Sequence, residues 1–171
     1  PDYNSPDQIL RDADIAMYQA KSRGKSRSVL FEPGMHDHAV ERLKLETELR
    51  QAVERDEFVP YYQPIVSSRT NRVIGYEALV RWKHPERGLV FPGDFLDVAE
   101  DTGIIVTIDR LVLREACLQM HKWQMQFPGS ALRFISVNLS NKHVAQPDLV
   151  EYVSQVIDES GDPLSFFFPV G

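Results

Sequence analysis

Glu77 and Arg81 stand four residues apart in the stretch Val73-Ile74-Gly75-Tyr76-Glu77-Ala78-Leu79-Val80-Arg81-Trp82. In an extended chain alternate side chains share a face. Gly75, Glu77, Leu79 and Arg81 then point one way, and Ile74, Tyr76, Ala78, Val80 and Trp82 make an apolar face on the other. A carboxylate so placed offers hard oxygen ligands to a divalent cation. A guanidinium beside it offers a bidentate contact to a phosphate. The same ten residues also describe an ordinary amphipathic strand with one solvated side. Gln63 shares a strand face with Val59, Tyr61 and Ile65. It is either a satisfied polar group or a reader of a base edge. Asn138 offers a carbonyl oxygen to a cation, or caps a turn. Lys21, Arg23, Lys25 and Arg27 crowd the end of a first helix. There they complement the helix dipole, or meet a polyphosphate.

The elements that must hold these groups follow from periodicity. Ile9, Leu10, Ala13, Ala16, Met17 and Ala20 recur at helical spacing. Pro6 suits the first turn of that helix, which ends near Gly24, and Ser28 to Phe31 reads as a short strand. A second helix runs from about His38 to Arg55, with Val40, Leu43, Leu49, Ala52 and Val53 on its apolar face. Glu57 to Val66 and Val73 to Trp82 are strands, and the short link between them forces an antiparallel pair. Lys83 to Gly88 reads as a turn, and Pro92 opens a helix that stops before Gly103. A longer helix, about Ile108 to Phe127, carries Leu111, Val112, Leu113, Ala116, Cys117, Met120 and Trp123 on one stripe. Cys117 belongs to that stripe as a core residue, and His121 on its rim has no assigned role. Leu132 to Ser140 is a strand, with Ser136, Asn138 and Ser140 on one face. His143 follows in a loop with a surface role, and Pro147 to Glu159 is an amphipathic helix. Strands separated by helices after an antiparallel pair imply an α/β architecture. Right-handed crossovers would bring Glu77, Arg81 and Asn138 towards one rim.

Composition narrows the partners. The net charge of −6 argues against a broad surface for nucleic acid polymers or anionic membranes. No apolar run approaches the roughly 18 residues that span a bilayer, so no membrane contact is expected of this segment. One cysteine excludes an internal disulfide and fits a cytoplasmic setting. The opening residues lack an initiator methionine and a secretory signal, so a longer parent, which could itself be membrane-tethered, is expected.

Tyr61-Tyr62-Gln63-Pro64-Ile65, Tyr76-Glu77-Ala78-Leu79-Val80-Arg81-Trp82, Ala99-Glu100-Asp101-Thr102-Gly103 and Ser136-Val137-Asn138-Leu139-Ser140 occur in that order. Together they closely resemble an EAL domain, the phosphodiesterase that hydrolyses cyclic di-GMP to pGpG. The resemblance implies a partial TIM-like (β/α) barrel whose first strand is antiparallel. It implies Mg²⁺ or Mn²⁺ held by Glu77 and Asn138, and cyclic di-GMP contacted by Gln63, Leu79 and Arg81. Upstream, Ala13-Asp14-Ile15-Ala16-Met17-Tyr18-Gln19-Ala20-Lys21, followed by Gly24, resembles the last helix and turn of a GGDEF (diguanylate cyclase) domain. That resemblance implies phosphate contacts at Lys21 and Lys25. The Gly-Gly-Asp-Glu-Phe signature itself is missing from the sequence, so no cyclase site is expected.

The expected organisation is a GGDEF remnant over 1–32, a linker and connecting helix over 33–56, and a truncated EAL domain over 57–171. A full TIM barrel takes roughly 250 residues. The family's next acidic strand is replaced here by Leu164-Ser165-Phe166-Phe167-Phe168-Pro169-Val170-Gly171. A frameshift, a natural truncation or an artificial end would leave such a tail. Two functions follow from the resemblance. One is an enzyme fragment, inactive by itself, from a cyclic di-GMP phosphodiesterase. The other is a non-catalytic module that binds cyclic di-GMP or a protein. A half barrel would also expose strand edges through which copies could self-associate.

Overall fold

The computed structural model describes residues 5–22, 28, 30–31, 34–128, 134–161 and 166–167. It divides into two compact units, Pro1–Glu48 and Leu49–Gly171.

In the first unit, α1 spans Pro6–Ser22. Ala16 is buried, but Ile9, Leu10 and Met17 of the same stripe are exposed. Lys21 lies in the last turn of α1, and Lys25 lies outside the described residues. The short strand expected at Ser28 to Phe31 is not formed at Ser28, Leu30 or Phe31. A strand needs a ladder partner, and Leu30 is instead 88% exposed. Helix α2, Gly34–Glu54, begins in this unit and ends in the second. Its expected apolar face is buried at Leu49 and Ala52, whereas Val40 and Leu43 are exposed.

The second unit is built on one mixed sheet. Its strands are β1 (Phe58–Val66), β2 (Val73–His84), β3 (Gly88–Val90), β4 (Phe134–Val137) and β5 (Phe166–Phe167). The order is β1-β2-β4-β5, with β3 on β2. Strand β1 pairs antiparallel with β2, which pairs parallel with β4, which pairs parallel with β5. This is the α/β fold with an antiparallel first strand, as an open portion of a barrel.

Strand β1 carries two prolines, Pro60 opposite Val80 and Pro64 opposite Tyr76. Proline has no N–H to give a ladder, and the continuous register with β2 from Phe58 to Ile65 puts both nitrogens on the side away from β2. Gly75 is required where β2 meets β4. A Cβ there would lie 2.8 Å from the Phe134 carbonyl oxygen and 2.8 Å from its ring.

The apolar face of the hairpin packs against helices. After a 3₁₀ turn at Pro92–Asp94 come α3 (Leu96–Thr102), α4 (Ile105–Gln126), α5 (Asn141–Val144) and α6 (Leu149–Ser160). Phe58, Trp82 and Phe95 form one aromatic cluster, with centroids 5.5 to 5.8 Å apart. Tyr62 and Tyr76 meet Trp123 of α4 at 4.9 and 4.8 Å. Ile108, Val112, Leu113, Ala116, Cys117 and Met120 of α4 are buried with Ile135 and Val137 of β4. Opposite lies the face that carries Glu77 and Arg81.

Two expectations need correction here. The turn expected at Lys83 to Gly88 is shorter, because β2 continues to His84 and returns as β3. His84 Nδ1 accepts from the backbone N–H of Glu86 and of Arg87, both at 3.1 Å, and Gly88 takes φ +69° to close the turn. His143, expected in a surface loop, is fully buried in α5. Ser140 caps that helix by accepting from the His143 N–H, and the single turn brings the imidazole to 6.2 Å from the Tyr152 ring.

Candidate functional site: the open face of the β1–β2–β4 sheet

Register alone brings most of the expected residues together. Gln63 pairs with Glu77, Tyr61 with Leu79, and Val59 with Arg81, all on the face away from α4. Glu77 is in turn level with Ser136 on β4, and Ser136 with Phe167 on β5. One row therefore crosses the sheet through Gln63, Glu77, Ser136 and Phe167. Asn138 lies just past the end of β4, and its Nδ2 donates to Glu77 Oε1 at 2.8 Å. Gln63 and Asn138 are exposed, while Glu77, Leu79 and Arg81 are half-buried.

The Arg81 guanidinium is held by its neighbours. Its Nη1 donates to the Val80 carbonyl at 2.7 Å, and its Cζ lies 4.8 Å from the Phe91 ring centroid and 6.0 Å from that of Tyr61. Cation–π contact of this kind restrains a long side chain while leaving its donors free to bind. Sequence reasoning missed Phe91. The signal was the short β2–β3 turn, because pairing Trp82 with Val90 returns the chain to Arg81.

Glu77 and Asn138 provide two hard oxygen donors of the six or so that Mg²⁺ or Mn²⁺ takes. They fit such an ion as part of its shell. Asn138 turns its Nδ2 towards the carboxylate, and rotation of the amide would bring its oxygen to the same side. Among the described residues, no group of three or more His, Cys, Asp or Glu is assembled to hold a metal ion.

A second polar group lies behind the end of β4. Asp109 of α4 is buried, and its Oδ2 accepts from the Ser140 N–H at 2.9 Å and from the Ser140 hydroxyl at 2.6 Å. His143 Nδ1 lies 3.6 Å from that same oxygen. Burial pushes the Asp109 carboxyl above the ordinary aspartate range, against the pull of the two Ser140 bonds. Burial, and then the nearby Arg110 charge, push the His143 imidazole below its usual value, with Asp148 opposing. Neither Asp109 nor its link to His143 was foreseen, because Asp109 lies 31 residues before Ser140.

Proteins of known sequence and structure are similar to this chain. The bifunctional diguanylate cyclase/cyclic di-GMP phosphodiesterase MucR of Pseudomonas aeruginosa is 45% identical over 150 residues, covering 88% of this chain and 22% of that protein. The cyclic di-GMP phosphodiesterase PdeR of Escherichia coli is 41% identical over 151 residues, covering 88% of this chain and 22% of its own. The chain thus spans about a fifth of the length of these curated relatives. The solved PaMucR phosphodiesterase in complex with c-di-GMP is 45% identical, with a TM-score of 0.64 over 69% of this chain and 47% of that one. An EAL enzyme solved with cAMP and cyclic di-GMP bound is 25% identical, with a TM-score of 0.69 over 93% of this chain and 41% of that one. Residues 46–170 match the EAL domain family over most of the second unit, and the chain belongs to that family.

Proposed function

We propose that this chain carries the cyclic di-GMP-binding part of a phosphodiesterase that converts the dinucleotide to pGpG, and that the 171-residue chain itself binds without turning over. Glu77 and Asn138 hold a divalent cation, Mg²⁺ or Mn²⁺. Arg81 takes a phosphate, Gln63 a base edge, and Leu79 lies against the ligand between them. Held by these residues in a complete enzyme, the cation would supply an activated water and neutralise charge at phosphorus. The protein's own part is to orient: Phe91 and Tyr61 restrain Arg81, and the ladder sets Gln63 level with Glu77. Residues 1–32, with Lys21 and Lys25, are read as the end of a GGDEF domain without cyclase activity of its own.

The observation that carries this reading is the 2.8 Å contact of Glu77 with Asn138 on the face that also bears Gln63, Leu79 and Arg81. Loss of turnover rests on the next register position, where β5 supplies Phe167 and no carboxylate. No described helix is long and apolar enough to cross a membrane.

Calorimetry with cyclic di-GMP and Mn²⁺ tests the assignment. We expect a saturable heat that disappears in Arg81→Ala, and no pGpG. A wild-type chain that gives no heat overturns the binding site. Metal-dependent pGpG formation, abolished by Glu77→Ala, overturns the claim of inactivity.

A further inference from the structure

Asn138 has to be held still without a ladder of its own. Strand β4 ends at Val137 and α5 starts at Asn141, so three residues make the connection. Val137 is fully buried, Leu139 is 6% exposed, and Asn138 between them is exposed. The far end of the connection is Ser140, and Asp109 grips it twice through one carboxylate oxygen. The Ser140 hydroxyl donates to Asp109 and accepts from the His143 N–H at 3.2 Å, which starts α5. Behind this, His143 is sealed at 0% exposure against the same carboxylate. The connection is therefore fixed at both ends, by the β4 ladder and by Asp109.

We propose that Asp109 is a positioning residue for the cation site, because its hold on Ser140 sets the backbone at Asn138 so that the amide meets Glu77. The cation half of this statement rests on Glu77 and Asn138 being metal ligands; the geometric half does not. A ligand's supporting contacts typically carry about ten- to a hundredfold in metal affinity. Asp109 differs from an ordinary supporting group in acting through the backbone two residues on, not on the ligand side chain.

Two readouts on the whole chain separate the halves. Mn²⁺ uptake is followed by the loss of the free-ion electron paramagnetic resonance signal. The Asn138 side-chain NH₂ pair is followed by ¹⁵N nuclear magnetic resonance, assigned by its absence in Asn138→Asp. In Asp109→Ala we expect Mn²⁺ affinity to fall about tenfold or more and the NH₂ pair to move to its free-amide position. Asp109→Asn keeps an acceptor for Ser140 and should return both to near wild type. Val112→Ala, one turn along α4, lowers stability without touching Ser140 and should leave both unchanged.

A folded Asp109→Ala chain with wild-type affinity and a wild-type NH₂ pair overturns the proposal, as does a Val112→Ala chain that loses as much as Asp109→Ala. If Asp109→Ala does not fold, Ser140→Ala removes the hydroxyl's bonds to Asp109 and to the His143 N–H while keeping the backbone bond, and an unmoved NH₂ pair in that variant overturns the proposal. If the wild-type chain takes up no Mn²⁺, the cation reading of Glu77 and Asn138 fails. The positioning claim is then decided by the NH₂ pair alone.

Discussion

Two polar groups meet at the end of β4, and they are built on opposite principles. Glu77 and Asn138 share one hydrogen bond on an open face, with exposed or half-buried side chains around them. Asp109, Ser140 and His143 lie behind, closed off by α4, α5 and Tyr152. The open pair keeps lone pairs available for a ligand. In the sealed group the Asp109 oxygen is committed to Ser140, and the His143 ring nitrogens make no hydrogen bond among the described residues. The first leaves acceptors open to solvent and the second closes them off. Substitutions should therefore separate them by what is lost.

The largest effect should come from the position on which both groups depend. Gly75→Val places a Cβ where 2.8 Å separates it from the Phe134 carbonyl, and backbone on the β4 side cannot yield cheaply. We expect a loss of about 3 kcal/mol in urea unfolding, with β2 and β4 displaced and both groups disrupted. A small loss would show that β4 tolerates displacement and would break the link between them.

The next effect divides the two. Asp109→Ala leaves the half-buried Ser140 N–H without its acceptor, so about 1 to 2 kcal/mol of stability should disappear. Glu77→Ala removes a half-buried group whose partner, Asn138, is exposed, and should stay within about 0.5 kcal/mol of wild type. Similar losses in both would erase the distinction.

The smallest effect is on pH dependence. His143 is held below its ordinary value of 6.5 by burial. The unfolded chain therefore takes up a proton first as pH falls. Its contribution is present above that value and lost below it. His143→Phe should remove this component, which has a slope of at most about 1.4 kcal/mol per pH unit. Asp109 runs the other way. Its raised value gives a contribution that is full below the ordinary 3.8 and lost as pH rises through the folded value. If His143→Phe keeps the wild-type profile between pH 6.5 and 5, another group titrates in its place.

The open pair was largely legible in the sequence and the sealed group was not, for a physical reason. Strand alternation places Glu77, Leu79 and Arg81 on one face by local geometry, and a short link makes the two strands antiparallel. Local rules reach that far, while the register that sets Gln63 opposite Glu77 comes from the fold. Asp109 and Ser140 are joined by tertiary packing of α4 on β4, which periodicity does not encode. His143 was misplaced because a four-residue helix is too short to show a repeat. Val40, Leu43, Ile9, Leu10 and Met17 lie in the helices expected and are exposed all the same: periodicity finds a stripe, but burial depends on what packs against it.

The prolines of β1 bear on assembly. Among the described residues β1 closes one end of the strand order, where an unpaired ladder would ordinarily recruit another strand. Along the outer side of Pro60 to Pro64 the alternating donors would be residues 60, 62 and 64, and two of those are prolines. Tyr62 is left as the one N–H across that span. An incoming strand would find carbonyls but hardly a donor, so this margin is a poor template for fibril growth. The sequence that sets Gln63 level with Glu77 thus also keeps its strand from seeding a stack.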